Sequence, residues 1–197
     1  TIAGTQFHYI PEHQDGFLVC DASSDILSRP WDGSKFGLIY AGAQKNMGPS
    51  GVTVVIVRKS LLDQADPELP TMLRYGVHVA KKSMNNTPNT YGIYVIDQVC
   101  KWIEERGGLS VMEAQNRTQA ETLYAAIDGS PFYQGKAQKA SRSWMNVTFT
   151  TGNDDLDTLF WTSAQDEGLS GLKGHRIVGG LRASLYNAQT NDAVQAL

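Results

Sequence analysis

Two short apolar runs, joined by a turn that carries a lysine, constrain the fold of this chain more than any other feature. The first run is Phe36-Gly37-Leu38-Ile39-Tyr40, the second is Val52-Thr53-Val54-Val55-Ile56-Val57, and a glycine-rich stretch containing Lys45 joins them. Short apolar runs bounded by glycine and proline are typical of buried strands. The pattern therefore predicts a sheet with Lys45 in the turn at one edge, between two of its strands.

Lys45 has two interpretations on this pattern alone. It either closes a strand and extends into water, as most lysines do, or it serves as an amine nucleophile. Burial and neighbouring cations lower the pKa of a lysine, and the neutral amine can then form a Schiff base. Asp21 ends the upstream apolar run 17–20. An aspartate there often caps a turn, but it can also keep a pyridinium nitrogen protonated, so the two residues together indicate pyridoxal phosphate chemistry.

Composition narrows the class of protein. The chain has 197 residues, 41% of them hydrophobic, and a net charge of −3, which is typical of a globular protein. It lacks the basic stripe of nucleic-acid-binding proteins and any apolar run near the ~20 residues that span a bilayer. The four histidines lack metal-ligand spacing, and Cys20 and Cys100 lie in apolar contexts. We therefore expect a cytoplasmic protein with reduced cysteines and no metal.

The remaining patterns predict an α/β region followed by an α+β region. We expect an extended loop over 64–87 and a helix with Thr87 as its N-cap that ends at Gly107-Gly108. The later predicted elements are a helix over 109–127, a strand within 143–150, a helix from 154, a short strand and turn over 168–172, a strand over 181–186 and a last helix from 189. We place a domain boundary at Gly107-Gly108, giving domains 1–107 and 108–197.

Four segments resemble the phosphoserine aminotransferase family. They are DASSDILSRP (21–30), YAGAQKNMGPSG (40–51), SMNNTPNTY (83–91) and GHRIVGGLRASLYNA (174–188), in order along almost the whole chain. The resemblance implies a fold type I, class V pyridoxal phosphate-dependent transferase. Residues 1–107 would then be the latter part of its large domain, and 108–197 its small C-terminal domain. Family members extend beyond both ends of this sequence, so we expect an incomplete C-terminal fragment that associates with itself or with another chain.

The resemblance also implies roles around the cofactor, pyridoxal 5'-phosphate. Lys45 would bind it through a Schiff base and move the substrate proton, and Asp21 would pair with its ring nitrogen. Gln44 would contact its phosphate, and Thr1 its ring.

Asn86 and Thr87 have two explanations. A helix N-cap pair would account for them by itself, but a helix start is also an anion site. In the family the matching residues reach across a dimer interface to the cofactor phosphate of the other subunit. Asn85 and Asn89 replace an aromatic residue and a proline that are common in relatives, which puts the rigidity of the segment in doubt.

A last group of residues concerns the substrate. Arg176 and Arg182 have surface charge as their ordinary explanation, but arginine binds carboxylates and phosphates bidentately. By resemblance, Arg182 holds the substrate α-carboxylate, and His175 and Arg176 help to bind its phosphate.

The resemblance thus implies amino transfer from glutamate to 3-phosphohydroxypyruvate in serine synthesis, and in some bacterial relatives a related step of vitamin B6 synthesis. Two alternatives stay open. The chain is an inactive folding or dimerisation module, or it belongs to another fold type I enzyme such as a desulfurase. The second is disfavoured because no cysteine lies in a plausible mobile loop.

Overall fold

The computed structural model describes residues 2–197, which form two compact units. The Lys45 unit comprises Pro11–Ile26 and Trp31–Glu105, and the Arg182 unit comprises residues 2–10, Leu27–Pro30 and Arg106–Leu197. The division of the chain into family domains at Gly107-Gly108 stays a prediction. Within the described residues, none of the helices combines the length and hydrophobicity needed to cross a bilayer.

The Lys45 unit contains a three-stranded sheet in the order β1-β2-β3. The strands are β1 (Leu18–Asp21), β2 (Phe36–Gly42) and β3 (Thr53–Val57), which confirms the three predicted strands. β1 and β2 are parallel, and β3 is antiparallel to β2. Since the carboxyl ends of parallel strands meet at one edge of a sheet, Asp21 and the turn after β2 lie at the same edge.

Three helices complete this unit: α1 (Lys59–Leu62), α2 (Tyr75–Ala80) and α3 (Thr90–Glu105). The extended loop predicted over 64–87 is wrong in part, because α2 forms inside it. The predicted N-cap at Thr87 is also wrong. Asn89 takes that place, since its Oδ1 accepts the N–H of Gly92 at 3.0 Å, and asparagine satisfies the first amides of a helix as well as threonine does.

Helix α3 packs closely against the turn and the start of β3. A Cβ added at Gly92 would lie 2.6 Å from Val52 Cγ2, and one added at Gly48 would lie 3.1 Å from Ile96 Cγ1. Glycine at these two positions therefore permits an approach that a larger residue would prevent. The contact fixes the backbone that follows Lys45.

The Arg182 unit contains the antiparallel sheet β4-β5-β6 and three helices. The elements are α4 (Leu109–Gly129), β4 (Gln134–Gly135), β5 (Asn146–Thr150), α5 (Asp154–Asp166), β6 (Leu181–Ser184) and α6 (Asn191–Ala196). They confirm the predicted helices from 109, 154 and 189 and the predicted strands within 143–150 and 181–186. The strand predicted over 168–172 is wrong: the chain turns at Gly168 and Gly171, where φ is +86° and +79°.

The two faces of the β4-β5-β6 sheet differ in character. One face forms the core with α4 and α6 through Ala120, Leu123, Ile127, Val147, Phe149, Leu181, Ala183 and Val194. Strand residues point alternately to the two faces. The other face is consequently polar and carries Asn146, Thr148, Arg182 and Ser184.

Candidate active site

Lys45 lies in a tight turn whose neighbouring residues anchor it. Ala43 and Asn46 are buried, and Asn46 Nδ2 donates to Ile26 O at 2.9 Å. Between them in sequence, Gln44 is exposed and Lys45 is half-buried. The anchored turn therefore holds the Lys45 amine partly out of water. It also fixes the place of the amine, and a reacting group gains rate from being held in place.

Asp21 ends β1 with its carboxylate held by neighbours. The N–H of Ser23 donates to Asp21 Oδ1 at 3.0 Å, and the Ser23 hydroxyl accepts the N–H of Gly42 at 3.0 Å. Tyr40 lies opposite Asp21 in the parallel pair, and its phenol helps to lower the pKa of the Asp21 carboxyl. Ser23 thus joins the end of β1 to the end of β2, just before the turn with Lys45.

These contacts keep Asp21 ionised. Partial burial raises the pKa of Asp21, but hydrogen bonds from Ser23 and Tyr40 and the charge of Lys45 together outweigh burial, and the pKa lies below its ordinary value. An ionised carboxylate is what a protonated pyridine nitrogen needs as its partner. The two groups therefore fit pyridoxal phosphate: the amine of Lys45 suits its aldehyde, and the carboxylate of Asp21 suits its protonated ring nitrogen.

Gln44 has room beside the end of β2. A Cβ added at Gly42 would lie 2.6 Å from Gln44 Oε1. Glycine there leaves space for the amide of Gln44, which is exposed. The position suits an amide that contacts a bound anion.

Asn86 and Thr87 precede α3 with exposed side chains. Asn86 Nδ2 lies 3.4 Å from Thr87 O. Upstream, Lys82 and Ser83 take positive φ values of 49° and 64°, so the chain turns sharply before this segment. Because Asn89 caps α3, capping does not explain Thr87. Its expected contact with a cofactor phosphate stays a prediction.

His175 and Arg176 lie on a closed loop in the Arg182 unit. The N–H of Gly174 donates to Gly180 O at 2.8 Å, and the N–H of Gly179 donates to His175 O at 2.8 Å. His175 is half-buried, and Arg176 is exposed. The loop can therefore present an imidazole and a guanidinium to an anion.

Arg182 lies on the polar face of its sheet. It stands opposite Thr148 in the β5–β6 pair, and its neighbours Leu181 and Ala183 point into the core. Its Nε is buried and has no hydrogen-bond partner among the described residues. An unsatisfied buried donor costs free energy, and a bound carboxylate would supply the missing acceptor. Arg182 therefore fits an anionic ligand.

The predicted site residues divide between the two units. The Lys45 unit contains Asp21, Gln44, Lys45, Asn86 and Thr87, and the Arg182 unit contains His175, Arg176 and Arg182. Thr1, the predicted contact of the cofactor ring, lies outside the described residues.

Sequence reasoning missed Tyr40 as a partner of Asp21. Tyr40 alternates with the buried residues Ile39 and Ala41, so its exposed side was predictable from the period of a strand. Its position opposite Asp21 was not predictable, because the register of a parallel pair depends on tertiary packing.

Comparison with known proteins identifies the relatives of this chain. A family model described as Aminotransferase class-V matches residues 6–197. The phosphoserine aminotransferase of Desulfatibacillum aliphaticivorans is 54% identical over 198 residues, which cover 100% of this chain and 55% of that protein. The chain thus spans about 55% of the length of the curated relative.

Solved structures agree with this similarity. The phosphoserine aminotransferase of Bacillus circulans subsp. alkalophilus is 52% identical, with a TM-score of 0.96 over 100% of this chain and 55% of its own. A pyridoxal phosphate-bound phosphoserine aminotransferase from Trichomonas vaginalis is 40% identical, with a TM-score of 0.94 over 100% of this chain and 56% of its own. These matches confirm the predicted α/β fold and the family resemblance.

Proposed function

The chain belongs to the class-V aminotransferase family, and from this premise we propose that the full-length protein is a phosphoserine transaminase. It would transfer the amino group of L-glutamate to 3-phosphohydroxypyruvate, giving O-phospho-L-serine and 2-oxoglutarate in serine biosynthesis. The observation that carries the proposal is the 54% identity to a phosphoserine aminotransferase along the entire chain. A related phosphorylated oxo acid of vitamin B6 synthesis is a further substrate under this proposal.

The residues of the Lys45 unit hold the cofactor and move the proton. Pyridoxal phosphate held there would supply an electron sink for the negative charge that develops at the substrate α-carbon. Lys45 Nζ takes the proton from that α-carbon, because the anchored turn keeps the amine within reach. The ionised carboxylate of Asp21 holds the ring nitrogen in its protonated form. Gln44 contacts the cofactor phosphate. The contact of Thr1 with the ring stays a prediction, because Thr1 lies outside the described residues.

The residues of the Arg182 unit bind the substrate. Arg182 takes the α-carboxylate, which every amino and oxo acid substrate carries, and gains an acceptor for its buried Nε. His175 and Arg176 take the substrate phosphate, which glutamate lacks. This division explains how one site accepts two substrates that differ in their distal group.

The proposed protein acts as a homodimer with shared sites in the cytoplasm. Asn86 and Thr87 would reach the cofactor phosphate of the other subunit. Their exposed position ahead of α3 is compatible with a contact outside their own chain.

An acceptor panel tests the proposed function. Full-length protein loaded with pyridoxal phosphate receives glutamate and one of three acceptors: 3-phosphohydroxypyruvate, pyruvate or oxaloacetate. We expect the highest kcat/KM with the phosphorylated acceptor. Lys45→Ala should lower that value by on the order of a thousandfold, since both the proton carrier and the attachment point are lost.

Lys35→Ala is the matched control, because Lys35 is exposed and precedes β2 outside the proposed site. It should leave turnover unchanged. Equal turnover with pyruvate would refute the substrate assignment, and near-normal turnover of Lys45→Ala would refute the catalytic one.

A further inference from the structure

Lys136 follows β4 and contacts the loop that carries His175 and Arg176. Its Nζ donates to Val178 O at 2.9 Å and to Gly179 O at 3.1 Å. One ammonium group therefore joins two successive carbonyl oxygens of a loop that is far from it in sequence.

The two carbonyl groups lie at the end of a hydrogen-bonded turn. The N–H groups of Val178 and Gly179 both donate to His175 O, at 2.9 and 2.8 Å. The carbonyls at the end of such a turn have no partner within it and carry partial negative charge. A lysine is a suited donor there, because its ammonium forms charge-assisted hydrogen bonds.

Lys136 is exposed, but there is little space at the two glycines that bound the loop. A Cβ added at Gly180 would lie 2.7 Å from Lys136 Nζ and 2.8 Å from Phe149 O. A Cβ added at Gly174 would lie 2.2 Å from Gly179 O. The loop therefore closes on itself beside the ammonium group, and the lysine holds it against the end of β4.

We propose that Lys136 is a positioning residue that fixes the 174–180 loop and thereby sets affinity for the phosphorylated substrate. The inference rests on the proposed function of His175 and Arg176. Lys136 acts through the loop backbone, so its loss should lower the affinity for the ligand that His175 and Arg176 bind. Glutamate, which has no phosphate, depends on Arg182 and is spared.

The test uses Lys136→Met, which keeps the aliphatic stem but removes the donor, and Lys136→Arg, which keeps a cationic donor. Lys139→Met is the matched control, since Lys139 lies three residues further on, is 80% exposed in its side chain and pairs with Asp128 at 3.1 Å. Two quantities are measured in full-length protein: hydrogen–deuterium exchange of residues 174–180, and half-reaction affinities for phosphoserine and glutamate.

We expect Lys136→Met to speed exchange of the loop amides and to weaken phosphoserine affinity about tenfold, the loss expected for a hydrogen bond to a charged group. Glutamate affinity should change less than about twofold, and Lys136→Arg should restore both measures in large part. Lys139→Met should match the wild type.

Three outcomes would overturn the proposal. They are unchanged loop exchange in Lys136→Met, unchanged phosphoserine affinity, and equal losses for both substrates. Failure of the proposed function is distinguishable from these, because a wild-type protein that does not use phosphoserine still reports the effect of Lys136 through loop exchange.

Discussion

Arg176 and Arg182 differ in how the protein surrounds their charges. Arg176 is exposed on a loop, whereas Arg182 lies on a strand with a buried Nε that has no partner among the described residues. The buried Nε is already desolvated and the strand holds the residue, so Arg182 loses little freedom when it binds a carboxylate. The two arginines should therefore contribute unequally, and to different groups of the substrate.

The first prediction separates these two roles. Arg182→Ala should weaken phosphoserine and glutamate alike, by about 2–3 kcal/mol each, because both have an α-carboxylate that loses its bidentate partner. Arg176→Ala should weaken phosphoserine and spare glutamate. The measurement is the affinity of each substrate in separate half-reactions.

Arg117→Ala serves as the control, since Arg117 is 52% exposed in its side chain and makes a helix-surface pair with Glu113 at 3.4 Å. It should leave both affinities unchanged. The assigned roles are wrong if the two site variants weaken both substrates to the same extent.

At the scale of secondary structure, Asp157 connects β5 to α5. Its carboxylate accepts the Thr150 hydroxyl at 2.6 Å, and the Thr151 N–H and hydroxyl at 2.7 and 2.8 Å. Burial raises the pKa of Asp157, but these hydrogen bonds outweigh burial, and the folded pKa lies below its ordinary value. The carboxylate therefore stabilises the fold in its ionised form.

The second prediction follows from the sign of that shift. A group whose pKa is lowered on folding contributes stability that is fully present above its unfolded pKa of about 4. That contribution is lost as pH falls through the folded pKa. Asp157→Asn should therefore lower the free energy of unfolding by about 2 kcal/mol at pH 7, and by less as pH falls below about 4.

Denaturant unfolding of full-length protein at several pH values measures this difference. Asp166→Asn is the control, because Asp166 is exposed at the other end of α5; it should change stability by less than about 0.5 kcal/mol. A loss in Asp157→Asn that stays constant from pH 7 to pH 3 would contradict the account.

The pattern of apolar residues predicted most of the helices and strands. The errors arose where neighbouring residues favoured two different local structures. The apolar runs of β1, β2 and β3, and the apolar residues that recur in α4 and α5, predicted where these elements lie along the chain. The recurrence did not predict which face of each helix is buried, since Val111, Leu156 and Leu159 are exposed.

The start of α3 was not predictable, because Thr87 and Asn89 are both good N-caps and the structure uses the later one. Helix α2 was missed because Gly76 and the nearby prolines indicate a loop.

Residues of the candidate site were predictable only where they lie within long sequence motifs of the family. The family strings identified Lys45, Asp21 and Arg182 by position along the chain. The contacts of Tyr40 with Asp21 and of Lys136 with the 174–180 loop join residues on different elements. Such contacts depend on strand register and loop closure, which no local pattern of the sequence encodes.

For the whole molecule, the predicted site residues divide between the two units. The described residues that are proposed to bind the cofactor lie in the Lys45 unit, and those that are proposed to bind the substrate lie in the Arg182 unit. Under the proposed dimer, each site would also take Asn86 and Thr87 from the other subunit. If each site needs residues of two subunits, activity depends on the dimer. Mixing two inactive variants tests this dependence.

The third prediction is that two defective subunits complement each other. Lys45→Ala should be inactive as a homodimer, and the double variant Asn86→Ala/Thr87→Ala should be impaired. In a mixed dimer, one site combines Lys45 of the double variant with Asn86 and Thr87 of the other subunit. Half of randomly mixed dimers are mixed, and one of their two sites is intact, so activity should recover to roughly a quarter of wild type.

Transaminase activity of co-refolded mixtures measures the recovery. A mixture of the double variant with Lys45→Ala/Asn86→Ala/Thr87→Ala is the control, since no site in it can be complete. Failure of the first mixture to exceed this control would show that Asn86 and Thr87 serve their own subunit's site or none.

The central claim is that Lys45 is the amine that holds the cofactor. Full-length protein is loaded with pyridoxal phosphate, reduced with borohydride and digested, and the pyridoxyl adduct is located by peptide mass spectrometry. The account predicts an adduct on the peptide that contains Lys45, and its loss in Lys45→Ala. An adduct spread over exposed lysines such as Lys35, or an undiminished yield in Lys45→Ala, would contradict it.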